Sequence, residues 1–223
     1  MKKIIAIVLL MGLGLVSFAQ SSEKNEKAES GNEINTLFSK GEKINVGWFV
    51  GIDPGYTQFD KKDVWLAGLS AGVILNHNFT IGLTGRAWMK SNQLYYTNVS
   101  DTTGAYLEGG YGGLLVEYTL FPRSLVHVTF PVMIGAGGAT YTTKEVLYKD
   151  SNGHEWNDHY RTLDSQAFFV VEPGVRAELN VFKFMRLNAG VSYRYAPNFT
   201  LLNTSNDLIN NFTGTIGLKF GKF

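Results

Sequence analysis

The chain has 223 residues, 44% hydrophobic and 17% charged, with 25 glycines and a formal net charge of +1. That length holds one large β domain or two small ones, and the near-zero charge gives no reason to expect nucleic acid or a strongly acidic partner. Cysteine is absent, which excludes disulfides, thiol catalysis, thiolate metal sites and a lipid-modified N-terminal cysteine.

The first residues read as a targeting segment. Lys2 and Lys3 supply a positive end, Ile4 to Val16 an apolar run, and Ser17-Phe18-Ala19 a small-residue cleavage pattern, so 1–19 is expected to be a removed signal peptide. The run is too short to cross about 30 Å of hydrocarbon as a helix. No later stretch reaches the length of a helical span, so insertion into a membrane must be as a barrel. Residues 20–43, with Glu23, Lys24, Glu26, Lys27, Glu29 and Glu33, lack apolar periodicity and read as a flexible periplasmic N-terminal segment.

From residue 44 to 223 the pattern is alternation at period two, the signature of strands with unlike faces. Ile44, Val46, Trp48, Val50 and Ile52 form the first apolar row, closed by the turn signal Asp53-Pro54-Gly55. Trp65 to Leu75 and Phe79 to Met89 form the next two around Asn76-His77-Asn78, and a polar stretch from Ser91 to Gly104 follows. Gly112 to Leu120 and Val126 to Ile134 flank Pro122-Arg123-Ser124, and a polar connection then runs from Thr142 to Asp164. Two long arms, Ala167 to Leu179 and Met185 to Tyr195, make a hairpin, and Ala196 to Asn210 is read as a polar loop before the last row, Phe212 to Phe220. The expected fold is all-β, an eight-stranded antiparallel up-and-down barrel.

Three features indicate what the rows face. The apolar rows carry no Asp, Glu, Lys or Arg, whereas the opposite rows hold Arg86, Glu117, Glu172, Arg176, Glu178, Arg186 and Arg194. A charge on a lipid face costs about 2–4 kcal/mol near mid-membrane, which accounts for the asymmetry if the apolar rows point outward. Connections also alternate in length, short at 76–78, 121–124 and 180–183 and long at 53–63, 91–104, 142–164 and 196–210. With the short turns periplasmic, Trp65, Phe169, Tyr193, Tyr195 and Phe212 fall at the outer interface and Phe79, Tyr118 and Phe220 at the inner one, as two aromatic girdles; Trp48 and Phe130 sit nearer mid-strand. A secreted lipocalin-type barrel shares the periodicity, but its exterior would then carry Gly47, Phe49, Gly51, Gly68, Ser70 and Gly72, which are poor surface residues.

The signal peptide, the alternating rows and the final strand Phe212 to Phe223 resemble the small outer-membrane β-barrel family, the OmpA-like and OmpX-like porin-fold proteins of Gram-negative bacteria. The resemblance implies a cell outer membrane location, outer-membrane lipid and lipopolysaccharide as surroundings, and the barrel assembly machinery as a partner. It also implies an assembly signal in the last strand, where Ile216, Leu218 and Phe220 keep the alternation and Phe223 is out of phase.

An eight-stranded barrel is just wide enough inside for side chains, so the seven lumen charges are expected to pair across it and plug it; a narrow pore is the alternative. His154 and His159 with Glu155 miss the spacing of a helical zinc motif, and no metal or other cofactor is expected. His127 with Thr129 raises the possibility of a lipid A-modifying barrel enzyme, yet no Ser-His-acid set accompanies it. The expected protein is a non-enzymatic monomer serving envelope integrity or surface interaction, with an extracellular partner reached through loops bearing Tyr95, Tyr96, Tyr141, Tyr148, Trp156 and Tyr160.

Overall fold

The computed structural model describes residues 44–89, 91–100, 103–149, 152–153 and 155–223, with backbone alone at 98, 100, 103, 144–149 and 155–160. The expected signal peptide, the N-terminal segment and His154 lie outside the described residues, as do the side chains of Glu155, Trp156, His159 and Tyr160.

Ten strands follow in chain order: β1 (Val46–Ile52), β2 (Gly55–Phe59), β3 (Lys62–Leu75), β4 (Phe79–Trp88), β5 (Tyr95–Ser100), β6 (Thr103–Leu120), β7 (Val126–Lys149), β8 (Glu155–Phe182), β9 (Met185–Arg194) and β10 (Asn211–Lys222). All pairings are antiparallel and they close on themselves. β3, β4, β6, β7, β8, β9 and β10 are neighbours in that order, and β1 and β2, one after the other along the same line, fill the gap between β10 and β3. The result is a ring of eight staves, with β5 laid back on the end of β6. Closure leaves no sheet edge around the wall, the condition for spanning hydrocarbon with strands.

Alternation sets the two sides of this wall. Val46, Trp48, Val50 and Ile52 are about half exposed while Phe49 between them is buried, and Leu69, Leu83, Leu114 and Ile134 continue the exposed band around the ring. Where two staves come closest, side chains are missing altogether. Gly113 and Gly135 face each other across β6 and β7, and a Cβ on either would run into the backbone of the other strand.

Three connections differ from the reading of the sequence. The stretch 53–63 is mostly strand: the chain stays extended through Asp53-Pro54, β2 pairs with both β10 and β3, and the reversal occurs at Asp60 and Lys61, both at positive φ (47° and 63°) as in a type I′ hairpin turn. Proline removes a ladder donor without bending an extended chain, so Pro54 marks a break between β1 and β2 and not a turn. The stretch 142–164 is not an open loop either. β7 and β8 remain paired out to Lys149 and Glu155, making a two-stranded ribbon that runs beyond Thr142, the last β7 residue bonded to β6. At roughly 3.3 Å per residue, the 24 residues of β7 are far longer than the 9–11 that a membrane stave needs. Finally, part of 91–104 is β5, hydrogen-bonded to β6 at Tyr95 and Tyr96.

The opposite end of the ring has tight connections. Asn76 and His77 adopt φ of 51° and 63°, again the type I′ pattern, and Phe182 already opposes Met185 across the β8–β9 turn. We call this the turn end and the other the loop end.

Candidate functional site

The inward rows of the eight staves converge on the lumen, and ten ionisable side chains are buried there: Asp53, Arg86, Glu117, His127, Glu172, Arg176, Glu178, Arg186, Arg194 and Lys219. Without His127 these are five cations and four carboxylates. Charges this deep persist only when paired and hydrogen-bonded.

The pairing falls into two groups along the axis. Toward the turn end, Lys219 on β10 lies between two carboxylates, donating to Glu117 on β6 at 2.7 Å and approaching Glu178 on β8 at 2.5 Å. Glu178 also meets Arg186 of β9 at 3.5 Å and His127 of β7 at 3.1 Å. Arg176 stands 3.9 Å from both Glu117 and Asp53, and Asp53 accepts from Ser70 Oγ at 2.7 Å. Nearer the loop end, Glu172 receives Arg86, Ser192 and, at 2.7 Å, the Tyr111 hydroxyl. Arg194 donates to Tyr111 Oη at 3.0 Å and to Thr57 Oγ1 at 3.3 Å, and its guanidinium lies over the rings of Phe59 and Tyr111.

Thus all seven predicted lumen charges face the interior, and the structure brings them together with three that the site prediction did not include: Asp53, His127 and Lys219. Asp53 was hidden because Asp-Pro-Gly reads as a surface turn. Its carboxylate instead points inward at the break between β1 and β2, where Asp53 N–H bonds Gly68 O and Ile216 N–H bonds Pro54 O.

Above Arg194 the lumen changes character. The segment 196–210, read from sequence as a polar loop, folds across the opening with Ala196, Phe199, Leu201, Leu208 and Ile209 buried. They join Phe59, Val64, Leu66, Trp88, Leu107 and Phe168 from the staves in one apolar cluster. Arg194 Nε donates to Ile209 O at 2.7 Å, Phe168 and Phe199 meet edge to face, and Asn203 Nδ2 reaches Val99 O at 3.1 Å. Burial raises the hydroxyl pKa of Tyr141, which is bonded to Thr204 Oγ1, and that of Tyr96 beside it. A polar pocket of about 340 Å³ remains on this cap, lined by Asp60, Lys61, Tyr96, Asp207, Asn210 and Asn211 among others.

On the outer wall the register shows where the aromatic residues lie along the staves. Phe79, Tyr118 and Phe130 are successive register partners across β4, β6 and β7 at the turn end, so Phe130 lies in this row and not mid-strand; Phe220 opposes Val50 and Met185 near the same end. Toward the loop end, Trp65 packs on Tyr56 and Tyr193 on Phe212, with Phe169 and Tyr195 exposed nearby. Of the proposed assembly residues, Ile216, Leu218 and Phe220 lie along β10 on its outward side, whereas the Phe223 ring packs 3.9 Å from the Arg186 guanidinium at the lumen floor.

These features define a class: the chain has the fold of the small eight-stranded outer-membrane β-barrels. The crystal structure of Neisserial surface protein A matches it with a TM-score of 0.51 at 14% identity, over 82% of this chain and all of that one. Ail, the attachment invasion locus protein of Yersinia pestis, is similar at 11% identity and a TM-score of 0.42, over 79% of this chain and 97% of Ail. The outer membrane protein OprG from Pseudomonas aeruginosa gives 11% identity and 0.39, over 80% of this chain and 94% of OprG. No family model and no curated protein matches the chain.

Proposed function

We propose that this protein is a non-enzymatic outer-membrane barrel of Gram-negative bacteria whose lumen is closed to solutes, and whose loop end, with the β7–β8 ribbon, faces outward as a surface-interaction element. The supporting observation is Arg194. Its fully buried guanidinium ties the lumen network to the segment folded over the opening, so charge pairs and an apolar cap block the axis in series. Against a lipid-modifying enzyme stands the position of His127, which is 1% exposed and turned onto Glu178 inside the wall, away from any acyl chain. The chain should fractionate with outer membranes and run with heat-dependent mobility in detergent gels. In planar bilayers it should show no unitary conductance; steady channel steps would overturn the closed lumen, and a changed lipid A acyl pattern lost in His127→Ala would overturn the non-enzymatic reading.

A further inference from the structure

At the turn end, among the β3–β4, β6–β7 and β8–β9 turns and the end of β10, lies a cleft of about 780 Å³ lined by His77, Arg123, Val181, Phe182, Lys183, Arg186 and the terminal Phe223 among others. Its ionisable side chains are basic, and no acidic side chain lines it. Among the described residues neither Arg123 nor Lys183 has an ion-pair partner, although each comes from a different turn and both border the same space. Arg186 forms part of the lining: its Nη1 reaches Glu178 at 3.5 Å, its ring partner is Phe223, and its buried Nε has no acceptor. Two cations without partners, Arg123 and Lys183, on either side of one space are what a phosphate group needs.

The wall beside the cleft is apolar. Val181, Phe182 and Phe184 are exposed, and the rings of Phe182 and Phe184 stack at 5.6 Å with 7° between planes. Phe121 and Leu125 extend the same surface at 70% and 68% exposure. A basic notch joined to an aromatic wall matches a molecule with an anionic head and hydrocarbon tails.

We propose that the turn end carries a binding site for an anionic phospholipid, with the phosphate between Arg123 and Lys183 and the acyl chains along Val181, Phe182 and Phe184. The site rests on the outer-membrane reading, which places the turn end at the inner leaflet. Arg123, Lys183 and Arg186 outnumber the one carboxylate the lining carries, that of the terminal Phe223, so the cleft is net cationic and a zwitterionic ethanolamine head gains less there than a glycerol one.

The test is native mass spectrometry of the full chain, folded in neutral detergent, with equimolar phosphatidylglycerol and phosphatidylethanolamine. Phosphatidylglycerol should be retained about tenfold more, as expected for cations acting on an anionic head at an interface. The preference should vanish in Arg123→Ala/Lys183→Ala, fall partway in Lys183→Gln, and survive Lys61→Ala/Lys62→Ala at the loop end. Equal retention of the two lipids, or a preference that outlasts the double substitution, overturns the site. Displacement of the lipid by equimolar inorganic phosphate, or by a soluble peptidoglycan fragment, would assign the cleft to a free anion instead and overturns the lipid. Heat-dependent mobility is read on each sample: its absence in the parent chain sinks the barrel itself, while its presence without lipid selection sinks only this site.

Discussion

The two halves of the lumen solve one problem by different means. Toward the turn end the staves line the lumen with charges of opposite sign, Lys219 between Glu117 and Glu178 and Arg176 between Glu117 and Asp53, with Arg176 Nη1 and Arg186 Nε left without a hydrogen-bond acceptor. Toward the loop end the same walls turn apolar at Trp88, Leu66 and Phe168, and the segment 196–210 packs Phe199, Leu201, Leu208 and Ile209 against them. The polar half is built by the staves of the ring alone. The apolar half has an additional piece of chain, 196–210, packed onto it from outside the ring of staves.

The largest expected effect breaks the polar half. Glu178→Leu strands Lys219 and Arg186 without their shared carboxylate, and the loss should reach about 3–5 kcal/mol in urea unfolding from vesicles. Glu178→Leu combined with Lys219→Met should recover part of it, because two opposite charges leave together while Arg186 still lacks its carboxylate; a double variant as weak as the single would mean that packing and not charge is at stake. Next, Phe199→Ala should cost about 3 kcal/mol, but locally: hydrogen exchange should rise over 196–210 while the amides of β8 and β9 keep their protection. Uniform loss through the barrel would erase the distinction between the halves. The smallest effect tests how little charge matters at the loop end. Asp63 lies outside the wall there, its pKa lowered by hydrogen bonds from Tyr56 and Gln58. Its contribution to stability is present above the unfolded carboxyl's pKa and fades as pH falls through the lower folded value. Tyr56→Phe should move the Asp63 titration upward by NMR and leave the unfolding midpoint nearly unchanged at neutral pH; a large shift of the midpoint would contradict the apolar reading of that end.

This division also explains what could be read from the sequence. Eight alternating rows announce eight staves, because a period of two is a local property that needs no partner. That Arg86, Glu117, Glu172, Arg176, Glu178, Arg186 and Arg194 share one side of the wall follows from the same alternation. Which of them meet does not: Lys219 touches Glu117 across 102 residues of sequence, a pairing set by register and by closure of the ring. Asp53 was obscured by Pro54 and Gly55, whose usual meaning is a turn. The cap was least visible. Phe199, Leu201, Leu208 and Ile209 are scattered among Asn, Thr, Ser and Asp with no period, so nothing local signals that they are buried. The β7–β8 ribbon was missed because Thr142 to Asp164 is polar on both faces, as a ribbon outside any core can be.

The closing of the ring by β10 has a consequence for how the protein reaches this state. β10 meets β1 at Trp48 and Lys222, and the bonds of Lys219 to Glu117, Arg194 to Thr57 and Asn188 to Asp53 join residues more than 100 apart in sequence. Contacts of such separation form late, since the entropy of closing the intervening chain must be met before any of them rewards it. An unclosed sheet would keep Lys219 with Glu178 on nearby staves but leave Lys219 without Glu117 and Arg176 without Asp53. Closure and the pairing of Glu117 with Lys219 and of Asp53 with Arg176 are thus one step, and an opened ring would have to give up both pairs together.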